Sequence, residues 1–221
     1  MELIKELPAL GRDLGPGLIL IGLTSLAAIL VGCLFEEWET LPWMATATVS
    51  LCGIGLLLRF LPKTSKVPRT STSIAATALV WVIVGLCGSL PFLFTGMSFL
   101  DAAFESMSAW TGTGLSIAED IEAWPKTLLF WRSFMQWVGG LGIVAFTLTV
   151  ATRSGLVTRG LYNSESGSQA FMPSVISTAF QMWKIYAVLT ILAVLAILLT
   201  GVGLWDAVNL ALCGIATGGM S

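Results

Sequence analysis

Two short stretches hold the residues whose types and spacing suit chemistry: TGTG at 111–114 and ATGG at 216–219. Each places glycine among small side chains at the end of a short, largely apolar run, LDAAFESMSAW at 100–110 and WDAVNLALCGI at 205–215. Backbone carbonyls of such segments, aimed at a narrow axis, replace the hydration shell of an alkali ion without a fixed negative charge that would hold it too tightly. Glycine supplies the dihedral freedom and close approach this needs and leaves no side chain across the path. The candidate cation ligands are Thr111, Gly112, Thr113 and Gly114 in the first stretch and Ala216, Thr217, Gly218 and Gly219 in the second, with Gly114 and Gly219 the leading pair. Ser116 and Ser221 add hydroxyl oxygens nearby. Taken singly, each stretch also reads as a glycine and serine turn between helices.

The stretches are copies of one another. Setting residue i beside residue i+105 pairs Asp101 with Asp206, Ala102 with Ala207, Gly114 with Gly219 and Ser116 with Ser221, with Leu115 opposite Met220. Repetition at a fixed period marks a unit that packs against copies of itself. A short helix entering from one face presents its unsatisfied C-terminal carbonyls and partial negative charge at the membrane centre, which favours a cation there.

The elements that must position these loops follow from composition. The chain has 221 residues, of which 56% are hydrophobic and 11% charged, and a mean hydropathy of +0.88. These values describe an integral membrane protein. Apolar windows at 14–35, 40–58, 70–100, 133–152 and 185–205 each reach or exceed the roughly 20 residues that cross the hydrocarbon as a helix. They lack the two-residue alternation of a membrane barrel, so the spans are helical. The first window lacks the layout of a cleaved signal peptide. By contrast, FLDAAFESMSAW at 99–110 has 12 residues, too few to cross, and reads as a re-entrant half-helix. Irregular backbone after it is tolerated at membrane depth only when buried in protein or lining a watery cavity. The expected fold is all-α: a two-helix transmembrane domain at 1–69, a span, pore-helix, loop and span repeat at 70–152, a cytoplasmic connecting segment at 153–178, and an incomplete second repeat at 179–221.

Charge sets the orientation. RFLPKTSKVPR at 59–69 carries Arg59, Lys63, Lys66 and Arg69 without an acid, whereas FEEWET at 35–40 carries three glutamates and no base. The positive-inside rule then places the amino terminus and the 59–69 loop in the cytoplasm and the 35–40 turn outside. Arg153 and Arg159 fall on the cytoplasmic side, and Glu119, Asp120 and Glu122 outside, if the half-helix and loop enter and leave by one face. Both loops then share one orientation.

Other residues carry two readings each. Asp101 and Asp206 stand near the start of each half-helix, as caps on exposed N–H groups or as cation attractors at the outer mouth. Arg132, inside a span, either pairs with Glu105 to brace the loop or snorkels to the outer interface. GGLG at 139–142 is close helix packing or a hinge. Most of the nine tryptophans fall near expected helix ends, as interface anchors do. Cys33, Cys52, Cys87 and Cys213 lie in or beside apolar runs and read as small buried side chains, with a redox role as the alternative; without histidine, neither a disulfide framework nor a zinc site is suggested. A net charge of -2 gives no reason to expect nucleic acid. No nucleophile and base or metal-ligand triad assembles, so an enzyme has no support, and no bound organic cofactor is expected.

FESMSAWTGTGLS at 104–116, WPKTLLFWRSFMQWVGGLGIVAF at 124–146, GLYNSE at 160–165, WKIY at 183–186 and ATGGMS at 216–221 together resemble the Trk/Ktr/HKT superfamily of potassium and sodium transport proteins, most closely its bacterial TrkH type. The resemblance covers the whole chain. It implies a multi-pass cell-membrane protein, one pore per subunit built from four span, half-helix, span repeats, with one glycine of each repeat at the selectivity filter. Those glycines look like Gly114 and Gly219. The resemblance also implies K+ as the transported ion, contact with membrane lipid, a homodimer, and a cytosolic nucleotide-binding regulatory subunit. Glycine at the first filter position goes with potassium preference in that family, and serine can favour sodium. The chain stops after the second loop, so it is expected to be a fragment of a longer protein, a truncated reading frame or one half that needs a complement. Rival readings are a simple tetrameric cation channel, a sodium-permeable member of the same superfamily, an inverted-repeat secondary transporter and a membrane scaffold that transports nothing.

Overall fold

The computed structural model describes residues 14–61, 70–153 and 175–220, with side chains described for 14–61, 75–142 and 180–220. The expected cytoplasmic charges Lys63, Lys66, Arg69 and Arg159, most of the 153–178 segment and Ser221 lie outside the described residues. Helices α1 (Leu14–Leu34) and α2 (Leu41–Arg59) form a leading hairpin. Small residues let them approach: a Cβ on Gly15 would lie 2.6 Å from the Gly55 carbonyl oxygen, and one on Gly22 would lie 2.9 Å from Cys52 Sγ. Small-residue crossings of this kind replace the hydrophobic effect as the glue between helices in lipid. Pro42 starts α2 at a position where its missing N–H has no helical partner to lose.

Helix α3 (Thr70–Ser89) continues as a 3-10 turn, Leu90–Thr95, opened by Pro91 and stopped at Gly96. The half-helix α4 (Phe99–Thr111) is 13 residues long, about 20 Å at 1.5 Å per residue and short of the roughly 30 Å hydrocarbon core. The chain then runs irregularly to a 3-10 turn at Ile121–Ala123 and into α5 (Lys126–Arg153), α6 (Val175–Leu198) and the second half-helix α7 (Leu204–Ile215). Among the described residues, four helices are long and apolar enough to span a membrane: Leu14–Leu34, Leu41–Arg59, Ala75–Thr95 and Phe180–Leu198. Helix α5 is less apolar, but its 28 residues reach about 42 Å. It begins seven residues before the apolar window at 133 because Lys126 and Arg132 interrupt hydrophobicity without interrupting the helix.

Helices α3, α4 and α5 pack together, with α1 and α7 against α5 and α6 against α7. The core holds Phe92, Trp110, Leu128, Trp131 and Met135, all essentially inaccessible. Trp110 and Trp131 meet edge to face with centroids 5.9 Å apart, so these two are core residues and not interface anchors. Cys87 and Cys213 are buried as expected, whereas Cys52 is half-buried and Cys33 exposed. The outer face of α1 at Leu30 and Leu34, and much of α6, shows large apolar side chains to the surroundings, the surface that hydrocarbon solvates without cost.

The carboxylate of Glu37 binds the hairpin to the repeat. It accepts hydrogen bonds from the Lys126 and Thr127 amides, both at 2.8 Å, and from Thr127 Oγ1 at 2.6 Å. These are orphan donors of α5's first turn, where a negative charge also favours the helix dipole.

Candidate functional site

The two half-helices share the same backbone hydrogen bonds at their starts and at their ends. At their starts, the Ala102 amide donates to the Ser98 carbonyl and the Ala207 amide to the Gly203 carbonyl, each at 2.9 Å. The N-caps are Ser98, whose hydroxyl accepts from the Asp101 amide, and Gly203. Asp101 and Asp206 therefore sit in the first turn and are not the caps themselves; Asp101 instead receives the Ser98 hydroxyl at 2.7 Å. At the C-termini, the Gly112 amide donates to Ala109 O and Thr113 to Ser108 O; 105 residues later Thr217 donates to Gly214 O and Gly218 to Cys213 O. This pair of bonds is the Schellman closure, which requires a left-handed residue just past the helix. Gly112 has φ +67° and Thr217 φ +54°, so a β-branched residue occupies in the second copy a conformation that glycine fills in the first.

The loops that follow meet. Gly114 has φ +77°, and a Cβ on it would lie 2.8 Å from the Gly219 nitrogen and 3.2 Å from the Gly219 Cα. A Cβ on Gly219 would in turn lie 3.5 Å from the Gly114 carbonyl oxygen. The two leading candidates are thus in backbone contact although 105 positions apart, and Gly112 faces the Ala216 carbonyl. The flanking hydroxyls behave otherwise than expected. Thr111 Oγ1 donates to Met107 O at 2.8 Å and shares a 2.7 Å bond with Thr113 Oγ1, so Thr111 folds back on its own helix.

Behind the first loop lies a buried ionic network. Arg132 Nη2 stands 3.6 Å from Glu105 Oε1, with the side chains 1% and 0% exposed. Ser116 links them: its hydroxyl donates to Glu105 Oε1 at 2.5 Å and receives Arg132 Nη2 at 3.1 Å, and the Ala118 amide reaches the same carboxylate oxygen at 3.3 Å. Arg132 does not snorkel. Ser108 Oγ, which donates to Leu115 O at 2.6 Å, ties the loop to α4 from the other side.

Helix α5 also reaches the second loop. Gln136, one turn after Arg132 and fully buried, accepts the Gly219 amide on Oε1 at 3.2 Å. Gly139 lies so close to the Trp110 carbonyl that no Cβ fits, and Gly140 faces Ala216 and the Tyr186 hydroxyl, which makes this part of GGLG a packing surface. Trp131 Nε1 donates to the Gly88 carbonyl at 3.0 Å. Glu105 and Arg132 were legible in the sequence as charges inside a membrane run; Gln136 was missed. Its only signal is that Arg132, Gln136 and Gly140 fall on one helix face at four-residue spacing.

The sequence profile of TrkH, described as a cation transport protein, matches residues 44–221. The chain belongs to the TrkH family. An uncharacterized cation transporter of Methanocaldococcus jannaschii is 39% identical over 98% of this chain and 46% of its own length. The Trk system potassium uptake protein TrkH of Halomonas elongata is 34% identical over 95% of this chain and 45% of its own. The crystal structure of the potassium transporter TrkH from Vibrio parahaemolyticus superposes with a TM-score of 0.77 at 30% identity, covering 94% of this chain and 42% of that one. The chain therefore spans a little under half the length of these relatives. With its apolar spans, membership of this family makes it a multi-pass, helical membrane protein.

Proposed function

We propose that the chain supplies two adjacent walls of a pore that takes potassium across the cell membrane, with Thr111–Gly114 and Ala216–Gly219 as its filter segments. The observation that carries this reading is the backbone contact of Gly114 with Gly219 at the ends of two identically closed half-helices. Two such loops side by side offer carbonyl oxygens to one axis, and each is preceded by a helix C-terminus that favours a cation. Potassium as the cargo is supported by the potassium uptake proteins among the relatives.

In this reading 1–69 is a leading two-helix domain, 70–152 the first repeat, 153–178 a cytoplasmic connection and 179–221 the part of a second repeat that carries its filter. The amino terminus is cytoplasmic, by the placement of the basic 59–69 and acidic 35–40 segments. A homodimer in the membrane and a cytosolic nucleotide-binding regulatory subunit are the expected partners, on the family resemblance alone. The test is growth at limiting potassium in a host without its own uptake systems, comparing these 221 residues, the product of the gene as its host encodes it, and that product with Gly114→Ser. Rescue by the gene product, with sodium admitted by Gly114→Ser, is the expected result. Well-expressed gene product that moves no alkali ion, with regulatory subunit supplied, refutes the proposal.

A further inference from the structure

We infer that Gln136 is a positioning residue for ion selection: from the first repeat's closing helix it sets the register of the second repeat's filter loop. The inference rests on the filter reading above. The Gly219 N–H needs an acceptor, which fixes the carboxamide with Oε1 toward the loop. The fit is close enough to dictate the neighbouring residue, because a Cβ on Gly218 would run into Gln136 Oε1 and Cδ. Gly218 has no left-handed φ, so glycine is required there by this approach and not by its own backbone.

Packing alone does not explain a glutamine at this place. The residue is 0% exposed, and its Nε2 is buried with no partner among the described residues. Leu or Met fills the same volume without burying an unpaired amide. What glutamine adds is one acceptor at the reach of a four-atom side chain, aimed at the backbone of Gly219. One turn earlier Arg132 holds the first loop through Ser116 at 3.1 Å. A single helix thus grips both loops, the first by a guanidinium and the second by a carboxamide, and Gly114 and Gly219 are held in mutual register through it.

The experiment measures potassium and sodium uptake by the gene product, in cells lacking their own systems, for the parent, Gln136→Leu, Gln136→Met and Gly114→Ser. Folding of each is followed by gel filtration in detergent. Gln136→Leu is expected to lower the potassium to sodium ratio about tenfold, the worth of one buried hydrogen bond. Gln136→Met keeps the unbranched length of the glutamine without its acceptor and is expected to lower the ratio as far as Gln136→Leu does, an outcome that a space-filling role does not predict. A folded Gln136→Leu protein with the parental ratio, beside a Gly114→Ser protein with an altered one, overturns the inference and leaves the filter reading standing. Parental ratios in both defeat the filter reading itself. If Gln136→Leu does not fold, Gln136→Met removes the same acceptor with an unbranched side chain: the same fall in ratio supports the inference, and a parental ratio overturns it.

Discussion

Arg132→Gln is the most informative single change outside the loops. Its magnitude follows from the geometry: unit charges 3.6 Å apart attract by about 4–5 kcal/mol at an effective dielectric of 20. Loss of the guanidinium leaves Glu105 fully buried with only the Ser116 hydroxyl and the Ala118 amide on Oε1. Glu105 Oε2 has no partner among the described residues. Stranding one member of a buried pair costs about 3–5 kcal/mol. At about 2–4 °C per kcal/mol for a chain of this size, the unfolding midpoint falls by about 10 °C. The assay is thermal unfolding in detergent at one fixed scan rate, since the midpoint of an irreversible transition moves with the rate. Glu105→Gln alone strands the guanidinium and costs a similar amount. The double variant leaves two neutral amides and loses only about 1–2 kcal/mol, so the cycle is strongly non-additive. A single-variant midpoint within about 2 °C of the parent, or a double-variant loss equal to the sum of the singles, refutes the argument that the pair is a buried unit.

Three further outcomes are expected. Gly139→Val drives a side chain into the Trp110 carbonyl and separates α5 from the end of the first half-helix; it is expected to lower the unfolding midpoint by at least about 5 °C, the scale of core overpacking. Glu37→Ala removes three hydrogen bonds from the first turn of α5 and costs about 1–2 kcal/mol, read as a drop of about 5 °C in the same assay. Glu36→Cys in a Cys33→Ser background, at the exposed turn between α1 and α2, is expected to react with a membrane-impermeant maleimide added outside intact cells; reaction only after lysis reverses the proposed orientation.

Much of this fold was legible because the membrane forces the choice. Windows of apolar residues at 14–35, 40–58 and 70–100 can only be helices in hydrocarbon, and a 12-residue run can only go part of the way. The offset of 105 residues, drawn from a few aligned pairs, reappears in the backbone bonds at both ends of both half-helices. What escaped was whatever depends on one side chain meeting a distant backbone. Nothing local marks Gln136 as the partner of Gly219, since their contact exists only once α5 and α7 pack. The cap at Ser98 was displaced onto Asp101 because carboxylates near a helix start are the louder signal, while the hydroxyl three residues earlier holds the geometry. Cys33 and Cys52, expected to be buried, are exposed and half-buried because hydropathy tells how apolar a neighbourhood is, not which way a side chain turns within it.

The matched closures of α4 and α7 bear on how such a protein changes over time. The bonds that end the two half-helices are the same, yet the side chains hung on them have diverged: Glu105 stands where the other copy has Leu210, and Gly112 where it has Thr217. In a ring of identical subunits every substitution appears on all sides at once, so a change that suits one wall must be survivable on every wall. A chain that carries its walls in tandem is released from that demand. On the pore reading proposed above, one copy can take up a charged brace while its neighbour stays apolar, and selection can revise the lining of the path one side at a time.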